Sequence, residues 1–241
     1  MISRQAALLT ATKGLALAGC DDDDTAPRVT TFTVTVQDVS TPGLLATDRA
    51  GGTVPLSPGA YAVFTGSNPL FASGSAADEG TELVAEDGFP ETKDAMLDAA
   101  ANVSQHGIFE SPGGPDAGPA IFAGETATFT VDASPGDRLQ FESMFVQSND
   151  WFFAFSDGGI DLFEGDTPIS GDVTDRLALY DAGTEEDTAP GTGADQKPVQ
   201  DPAATNVGAP DDDTAIRLAS TSEFAIPATA AVIRVTVTPN Q

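Results

Sequence analysis

Four carboxylates are crowded into the stretch LYDAGTEED, residues 179–187: Asp181, Glu185, Glu186 and Asp187. An apolar, strand-like run leads into this stretch, and it contains no Lys or Arg. Because like charges on one turn repel each other, either solvent and salt screen them or a positive charge lies among them. Calcium is a suitable cation, since it takes about six to eight oxygen ligands, several of them carboxylates on bent loops.

Asp181 and Glu185 have the spacing of a pair that shares one ion. Ala182 and Gly183 lie between them, and small residues allow the chain to turn back, so that the second carboxylate faces the first. A third ligand must come from another loop at the same end of the fold. Asp150, in the stretch SNDW, follows a turn signal at the start of an apolar strand pattern. Spacing alone does not separate it from three other acidic residues: Asp157, Asp161 and Asp172.

Most side-chain sets used for catalysis are missing from the sequence. His106, in NVSQHGIF, is the single histidine; the pattern places it on a loop and predicts no functional role. The motifs GxSxG and HExxH and a glycine-rich phosphate loop do not occur, and a single cysteine and histidine argue against zinc. Paired carboxylates can support glycoside hydrolysis, so an extracytoplasmic, carboxylate-dependent hydrolase stays open as the alternative function.

The charge balance excludes some partners. The chain of 241 residues has 37 acidic and 10 basic residues, a formal charge of −27. Nucleic acid and anionic membrane surfaces would be repelled. A carboxylate-rich, lysine-poor surface is typical of proteins that stay soluble at high salt, where self-repulsion is screened. Adaptation to salt and binding of a few cations are compatible explanations of this acidity.

The N-terminus predicts a leader and a spacer. LAGC, ending at Cys20, follows Arg4 and an apolar run and resembles the lipobox of secreted lipoproteins, in which the cysteine is lipidated; a disordered terminus with a stray cysteine is the alternative. Residues 1–20 are therefore assigned to a leader, 21–28 to an acidic linker and 29–241 to one domain. No apolar run is long enough for a transmembrane helix.

Alternating apolar and polar residues predict mainly β-structure. The strand signals are 29–39, 58–66, a hairpin over 124–147 around SPGD, 150–155, 175–180 and 229–239. Two short helices are predicted at 78–88, with Asp78 as N-cap and Gly88 as the stop, and at 92–100. Residues 106–124 and 183–214 are predicted to be loops, the latter long and exposed. The prediction is an all-β antiparallel sandwich of seven to nine strands with one or two short helices.

Aromatic residues dominate the strand that follows Asp150. With the two-residue period of a strand, Trp151, Phe153 and Phe155 share one face and Phe152 points to the other. Core packing is the interpretation we adopt for this run, rather than a ligand-binding surface.

Two motifs together resemble the spondin N-terminal domain family. They are FESMFVQSNDWFFAF, 141–155, and LALYDAGTE, 177–185, in which Asp150 and Asp181 are 31 positions apart (181 − 150). Animal members have a PDW stretch and a DAGTD stretch at a similar distance. The stretches DEGTELVAEDG and EEDTAPGTGADQKPVQ are similar to the prokaryotic branch, and the resemblance extends over about residues 29–238.

The resemblance implies an antiparallel, C2-like β-sandwich that binds calcium. Carried over residue by residue, the ligands are Asp150, Asp181 and Glu185, with Glu142 as a weaker candidate. The family often has Asp where this chain has Glu185, so the longer side chain shifts the ion or the loop. Glu186 and Asp187 would then face solvent.

The function implied is a non-catalytic, calcium-binding surface module. Its partner would be an unknown protein, matrix or glycan, since animal spondins act in cell contact. The expected location is secreted, held on the outer face of the cell membrane through a lipid at Cys20. The cysteines and additional domains of the animal relatives are absent, and a fold does not fix a function.

Overall fold

The computed structural model of the chain describes residues 28–113, 119–220 and 224–240, with only the backbone described at Asp157. The predicted leader with its lipidation site at Cys20, and nearly all of the acidic linker, lie outside the described residues. These assignments therefore stay predictions.

The described ranges contain thirteen strands, five of them only two residues long. They are β1 (Thr30–Asp38), β2 (Leu56–Phe64), β3 (Val103–Phe109), β4 (Thr126–Ala133), β5 (Arg138–Phe145), β6 (Trp151–Phe155), β7 (Ile160–Asp161), β8 (Phe163–Glu164), β9 (Thr167–Pro168), β10 (Gly171–Asp172), β11 (Leu177–Asp181), β12 (Arg217–Leu218) and β13 (Ile233–Pro239). Two short α-helices, α1 (Glu79–Glu82) and α2 (Glu91–Leu97), lie between β2 and β3.

The long strands form two antiparallel sheets. One sheet has the order β10-β13-β1-β4, and the other has the order β12-β11-β6-β5-β2-β3, with β7 added beside β5. The predicted all-β antiparallel sandwich is thereby confirmed. The first and last strands pair along most of their length, with Val34 opposite Val237, as their similar compositions suggested.

Alternation in β1 explains the core between the sheets. Phe32, Val34 and Val36 are fully buried, while the residues between them are only partly buried. They pack in one apolar cluster with Trp151, Phe153 and Phe155 of the facing sheet. At about 25 cal/mol per Å² of buried apolar surface, this layer is the main source of stability.

A second apolar cluster covers the outer face of the larger sheet. Phe152 packs there with Tyr180 and Phe71, on the face opposite to Trp151, as the two-residue period predicted. Helices α1 and α2 lie beside this cluster, and both faces of β6 are therefore buried. The interpretation of the aromatic run as core packing is confirmed.

The predicted hairpin over 124–147 is wrong, although both of its strands exist. β4 pairs with β1 in one sheet, whereas β5 pairs with β2 and β6 in the other. The SPGD turn therefore carries the chain from one sheet to the other. Both strands have a buried face, and burying these faces against opposite sides of one core is favoured over pairing them with each other.

The first helix begins and ends at the expected residues but is not a regular α-helix. Asp78 accepts a hydrogen bond from the backbone N–H of Thr81 (2.9 Å), and Gly88 ends the segment in the left-handed conformation. Between these residues, α1 continues into a π-helical segment, Leu83–Asp87. The second predicted helix corresponds to α2.

Two loop predictions need correction. His106 lies on strand β3, where it pairs with Ala62 of β2, and not on a loop. Residues 183–214 contain no strand, but they are not simply exposed, since Glu185 and Gln196 are buried. None of the described helices has the length and apolar character needed to cross a bilayer.

Candidate metal centre

The register of β6 and β11 brings the two sequence motifs together. Asp181 lies opposite Trp151 in this antiparallel pair, so Asp150 is directly beside the end of β11. The backbone N–H of Ala182 donates to the carbonyl of Asp150 (3.1 Å). The turn after β11 is therefore fixed on the residue that begins β6.

Asp150 is the centre of this arrangement. One carboxylate oxygen, Oδ2, accepts hydrogen bonds from Thr184 N (2.7 Å), Thr184 Oγ1 (3.1 Å) and Glu185 N (3.1 Å). The side chain is fully buried, and its other oxygen, Oδ1, has no hydrogen-bond partner among the described residues. Burial raises the pKa of Asp150, and the hydrogen bonds from Glu185 and Thr184 oppose the rise.

Asp181 is held in the turn by one oxygen and in an ion pair by the other. Its Oδ1 accepts from Gly183 N (2.8 Å), and its Oδ2 lies 2.7 Å from Nη2 of Arg217. Gly183 has a φ of 69°, and a Cβ there would lie 2.6 Å from the carbonyl oxygen of Asp213. Glycine is required at this position for both its conformation and the close approach.

Glu185 is also buried and hydrogen-bonded through both oxygens. Gly208 N donates to Oε1 (2.7 Å), and Asn149 Nδ2 donates to Oε2 (3.2 Å). A side chain at Gly208 would collide with this carboxylate. Burial raises the pKa of Glu185, and the negative charge of Asp150 adds to the rise.

Two further carboxyls belong to the site. Glu86 was not a candidate from the sequence, and Asp187 was expected to face solvent. Glu86, on the π-helical segment, is 2% exposed, and its Oε2 lacks a hydrogen-bond partner in the described part of the chain. Burial first, and then the charges of Glu185, Glu82 and Asp150, raise its pKa to about 8. Regular α-helical periodicity does not identify Glu86, because a π-helical turn changes the face on which the following residues lie.

Asp187 is the second additional carboxyl. It was expected to face solvent, but it is partly buried. Its Oδ1 is buried with no hydrogen-bond partner within the described ranges. Burial raises its pKa, and so do the charges of Asp181 and Asp150. The neighbouring Glu186 is exposed as expected. We call the five residues Glu86, Asp150, Asp181, Glu185 and Asp187 the Asp150 cluster.

The other acidic candidates have different environments. Glu142 is buried and accepts a hydrogen bond from Thr81 Oγ1 (3.1 Å). Burial raises its pKa to about 7, and the positive charge of Lys93 opposes the rise. Asp161 and Asp172, on the two-residue strands β7 and β10, form ion pairs with arginines; the side chain of Asp157 lies outside the description.

The Asp150 cluster has the oxygen ligands that a hard cation needs, but in this structure they are not arranged around a common point. Asp150 Oδ1, Glu86 Oε2 and Asp187 Oδ1 are buried oxygens without a hydrogen-bond partner in the part of the chain that the structure describes, as expected where a cation would complete the site. However, no three acidic or histidine side chains among the described residues are arranged as a ready-made metal group. The carboxylate oxygens of Asp181 and Glu185 already form an ion pair with Arg217 and accept hydrogen bonds from N–H groups, so calcium binding requires some rearrangement.

The chain was compared with models of known protein families and with curated proteins, and neither comparison found a match. The likeness to spondin domains therefore stays a resemblance carried by the two motifs.

Proposed function

We propose that this protein is a non-catalytic β-sandwich module whose fold is stabilised by calcium bound at the Asp150 cluster. The observation that carries the proposal is the environment of Asp150. Its side chain is fully buried, and one of its two oxygens has no partner among the described residues, although several carboxyls surround it.

The electrostatic cost of the cluster supports a divalent cation. The charges of neighbouring carboxyls raise the pKa of Glu86, Asp181, Glu185 and Asp187 in addition to the effect of burial. Without a cation, several of these groups must keep a proton near neutral pH, or the fold must bear their repulsion. Calcium removes this cost because it binds several carboxylates at once.

Glu86, Asp150 and Asp187 supply the open oxygens for such an ion, and Asp181 and Glu185 lie beside them. Carboxylate oxygens have more than one lone pair, so an oxygen that accepts from an N–H can also bind a metal. The role of the ion would be structural: it would tie β6, the turn after β11 and the π-helical segment together.

Burial favours an ion site over a hydrolase site. Glycoside hydrolysis requires two carboxyls that a sugar can reach from a cleft. Asp150 and Asp181 are 0% and 2% exposed, which leaves no surface for a sugar ring.

The resemblance to spondin domains also supports a location and a class of partner. On this basis we propose that the module acts outside the cell, attached through Cys20, in contact with a protein, matrix or glycan.

The proposal is tested by thermal or urea unfolding with calcium and with chelator, at constant ionic strength. We expect calcium to stabilise the wild type by about 2.7 kcal/mol at about a hundred times its Kd. Asp150→Asn is the decisive variant. Its amide oxygen can replace Oδ2 as the acceptor for Thr184 and Glu185, while its NH₂ group takes the place of Oδ1 and repels a cation. It should lose the calcium increment and be at least as stable as the wild type in chelator.

Glu186→Gln is the matched control, since it removes one charge from the same turn at an exposed position. It should keep the full calcium response. Equal calcium responses of the wild type and Asp150→Asn would contradict the proposal, because calcium would then act only by screening the general negative charge.

A further inference from the structure

Arg217 is the positive charge that the motif LYDAGTEED lacks. It lies on β12, the short edge strand next to β11, with its backbone opposite Asp181. Its Nη2 is 2.7 Å from Asp181 Oδ2 and 2.6 Å from Asp211 Oδ2. Its charge also acts on Asp150 and lowers the pKa of that carboxyl against the larger effect of burial.

The guanidinium occupies one of the two Asp181 oxygens that calcium could use. Asp181 Oδ1 accepts from Gly183 N in the turn, whereas Oδ2 is the oxygen that lies against Arg217. Two cations that share one carboxylate oxygen at contact distance repel each other strongly in a partly buried site. Arg217 and a metal ion therefore compete for Asp181.

Arg217 has a second carboxylate partner towards which it could move. Its side chain is 31% exposed, and Asp211, 17% exposed, is a second carboxylate partner that lies outside the Asp150 cluster. The guanidinium can leave Asp181 and still keep an ion pair. By contrast, the carboxyls of Asp150 and Glu185 are surrounded by backbone N–H donors that cannot move away without opening the turn.

We propose that Arg217 is the resident counter-ion of the Asp150 cluster, and that a divalent cation binds by displacing its guanidinium from Asp181 towards Asp211. This inference rests on the proposed calcium site and assigns the residue that sets its affinity. Arg217 stabilises the metal-free fold and weakens metal binding. The module would therefore need a higher calcium concentration for half-saturation than the same carboxylates would need without Arg217.

The test is calorimetric titration of the folded protein with calcium chloride at constant ionic strength. Arg217→Met keeps much of the side-chain stem but removes the charge, and we expect its Kd for calcium to be at least about tenfold lower than that of the wild type. Arg234→Met is the control for net charge. Arg234 pairs with Asp172 at the surface, so its removal makes the same charge change elsewhere and should leave the Kd within about twofold.

A second variant should have the opposite effect. Asp211→Asn removes the second carboxylate partner of Arg217, so Asp181 becomes its one remaining carboxylate partner among those described and calcium binds more weakly, by about three- to tenfold in Kd. Asp212→Asn is its control, with the same charge change at the exposed neighbouring position. A change of similar size in Asp212→Asn would show an effect of general charge and would overturn the inference.

The outcomes separate this inference from the proposed function. If the wild type binds calcium at Asp150 but Arg217→Met binds no more tightly than Arg234→Met, the calcium site stands and the inference is wrong. If only Arg217→Met binds calcium, the inference is supported, and calcium is not a ligand of the natural protein. Binding by neither protein overturns both.

Folding of the variant is itself informative. If Arg217→Met unfolds in chelator but folds in calcium, the ion replaces the lost guanidinium, which supports the inference. If it folds in neither condition, the comparison of Asp211→Asn with Asp212→Asn decides.

Discussion

Two groups of acidic residues lie near the same helical segment, and their charges are compensated differently. In the first, which we call the Lys93 network, Lys93 Nζ is 2.6 Å from Asp78 Oδ1 and 2.6 Å from the carbonyl oxygen of Leu70. Glu142 accepts from Thr81 and is stabilised by the charge of Lys93. In this network, no buried side-chain oxygen or nitrogen lacks a partner among the described residues.

The Asp150 cluster has the opposite balance. Five carboxyls surround the turn, three of them have a buried oxygen without a partner in the described ranges, and Arg217 compensates chiefly Asp181. The Lys93 network contains a cation of the chain itself, whereas our proposal for the Asp150 cluster is a cation bound from outside. The difference predicts different responses to mutation, pH and calcium.

The largest expected effect is the loss of Lys93. The Lys93 side chain is 1% exposed, and Lys93→Met would leave Glu142 and Asp78 without their cation. Removing one partner of a fully buried ion pair costs about 3–5 kcal/mol. Asp78 is 41% exposed and Glu142 can take up a proton, so we expect a loss at the lower end, about 3 kcal/mol, in the free energy of unfolding measured with urea near pH 7. Calcium should not restore it, since the network is closed without an external ion.

Arg234→Gln is the control for the Lys93 experiment. Arg234 and Asp172 form an ion pair with both side chains about half exposed, and such pairs contribute about 0–1 kcal/mol. A loss in Lys93→Met no greater than in Arg234→Gln would show that the Lys93 network is not a structural requirement and would remove the contrast between the two regions.

An intermediate effect is expected from pH. Burial raises the pKa of Glu142 from 4.5 to about 7, so between these values the folded protein binds more protons than the unfolded one. The free energy of unfolding must then fall as the pH rises through this range. At about 1.4 kcal/mol per pKa unit, the contribution of Glu142 is at most about 3 kcal/mol. Glu142→Gln should remove it, which urea unfolding in chelator at several pH values will measure.

The Asp150 cluster should contribute a separate part of the pH dependence. The pH dependence that Glu142→Gln retains between about pH 6 and 8 should come mainly from the Asp150 cluster, since the pKa of Glu86 is raised to about 8, whereas burial raises the pKa of Asp38, which lies outside the cluster, to about 6. Calcium should reduce this remaining dependence and leave the part due to Glu142 unchanged. If the free energy of unfolding of the wild type and of Glu142→Gln depends on pH in the same way in chelator, the assigned environment of Glu142 is wrong.

The smallest effect is expected at His106, which belongs to neither region. Its Nδ1 is 2.7 Å from Asp94 Oδ1, and its Nε2 is 3.2 Å from Asp98 Oδ1, so it joins β3 to the end of α2. His106→Ala should cost about 1 kcal/mol or less, because these groups are partly exposed. Calcium binding should not change. A loss of hydrolytic activity in this variant would instead favour the enzyme alternative.

Several elements were predictable because their signals are local. The alternation in β1 and β13, the two faces of β6, and the cap and stop of the first helix each depend on residues within a few positions of each other. The meeting of Asp150 with Asp181 and Glu185 was also expected, although from the resemblance between motifs and not from a physical rule. The sequence pattern alone left Asp161 and Asp172 as equal candidates.

Residue type and short-range period are sufficient to locate most of the long strands, their buried faces and the crowding of acids on one turn, although β3 was partly assigned to a loop. Which strands pair depends on the packing of the whole chain, and β4 and β5 lie in different sheets instead of forming a hairpin. This packing also decides which charges meet. Arg217 is 36 residues from Asp181 in the chain (217 − 181), and Glu86 is 64 residues from Asp150 (150 − 86). Contacts over such separations depend on how whole sheets bury their apolar faces, and no local pattern encodes them.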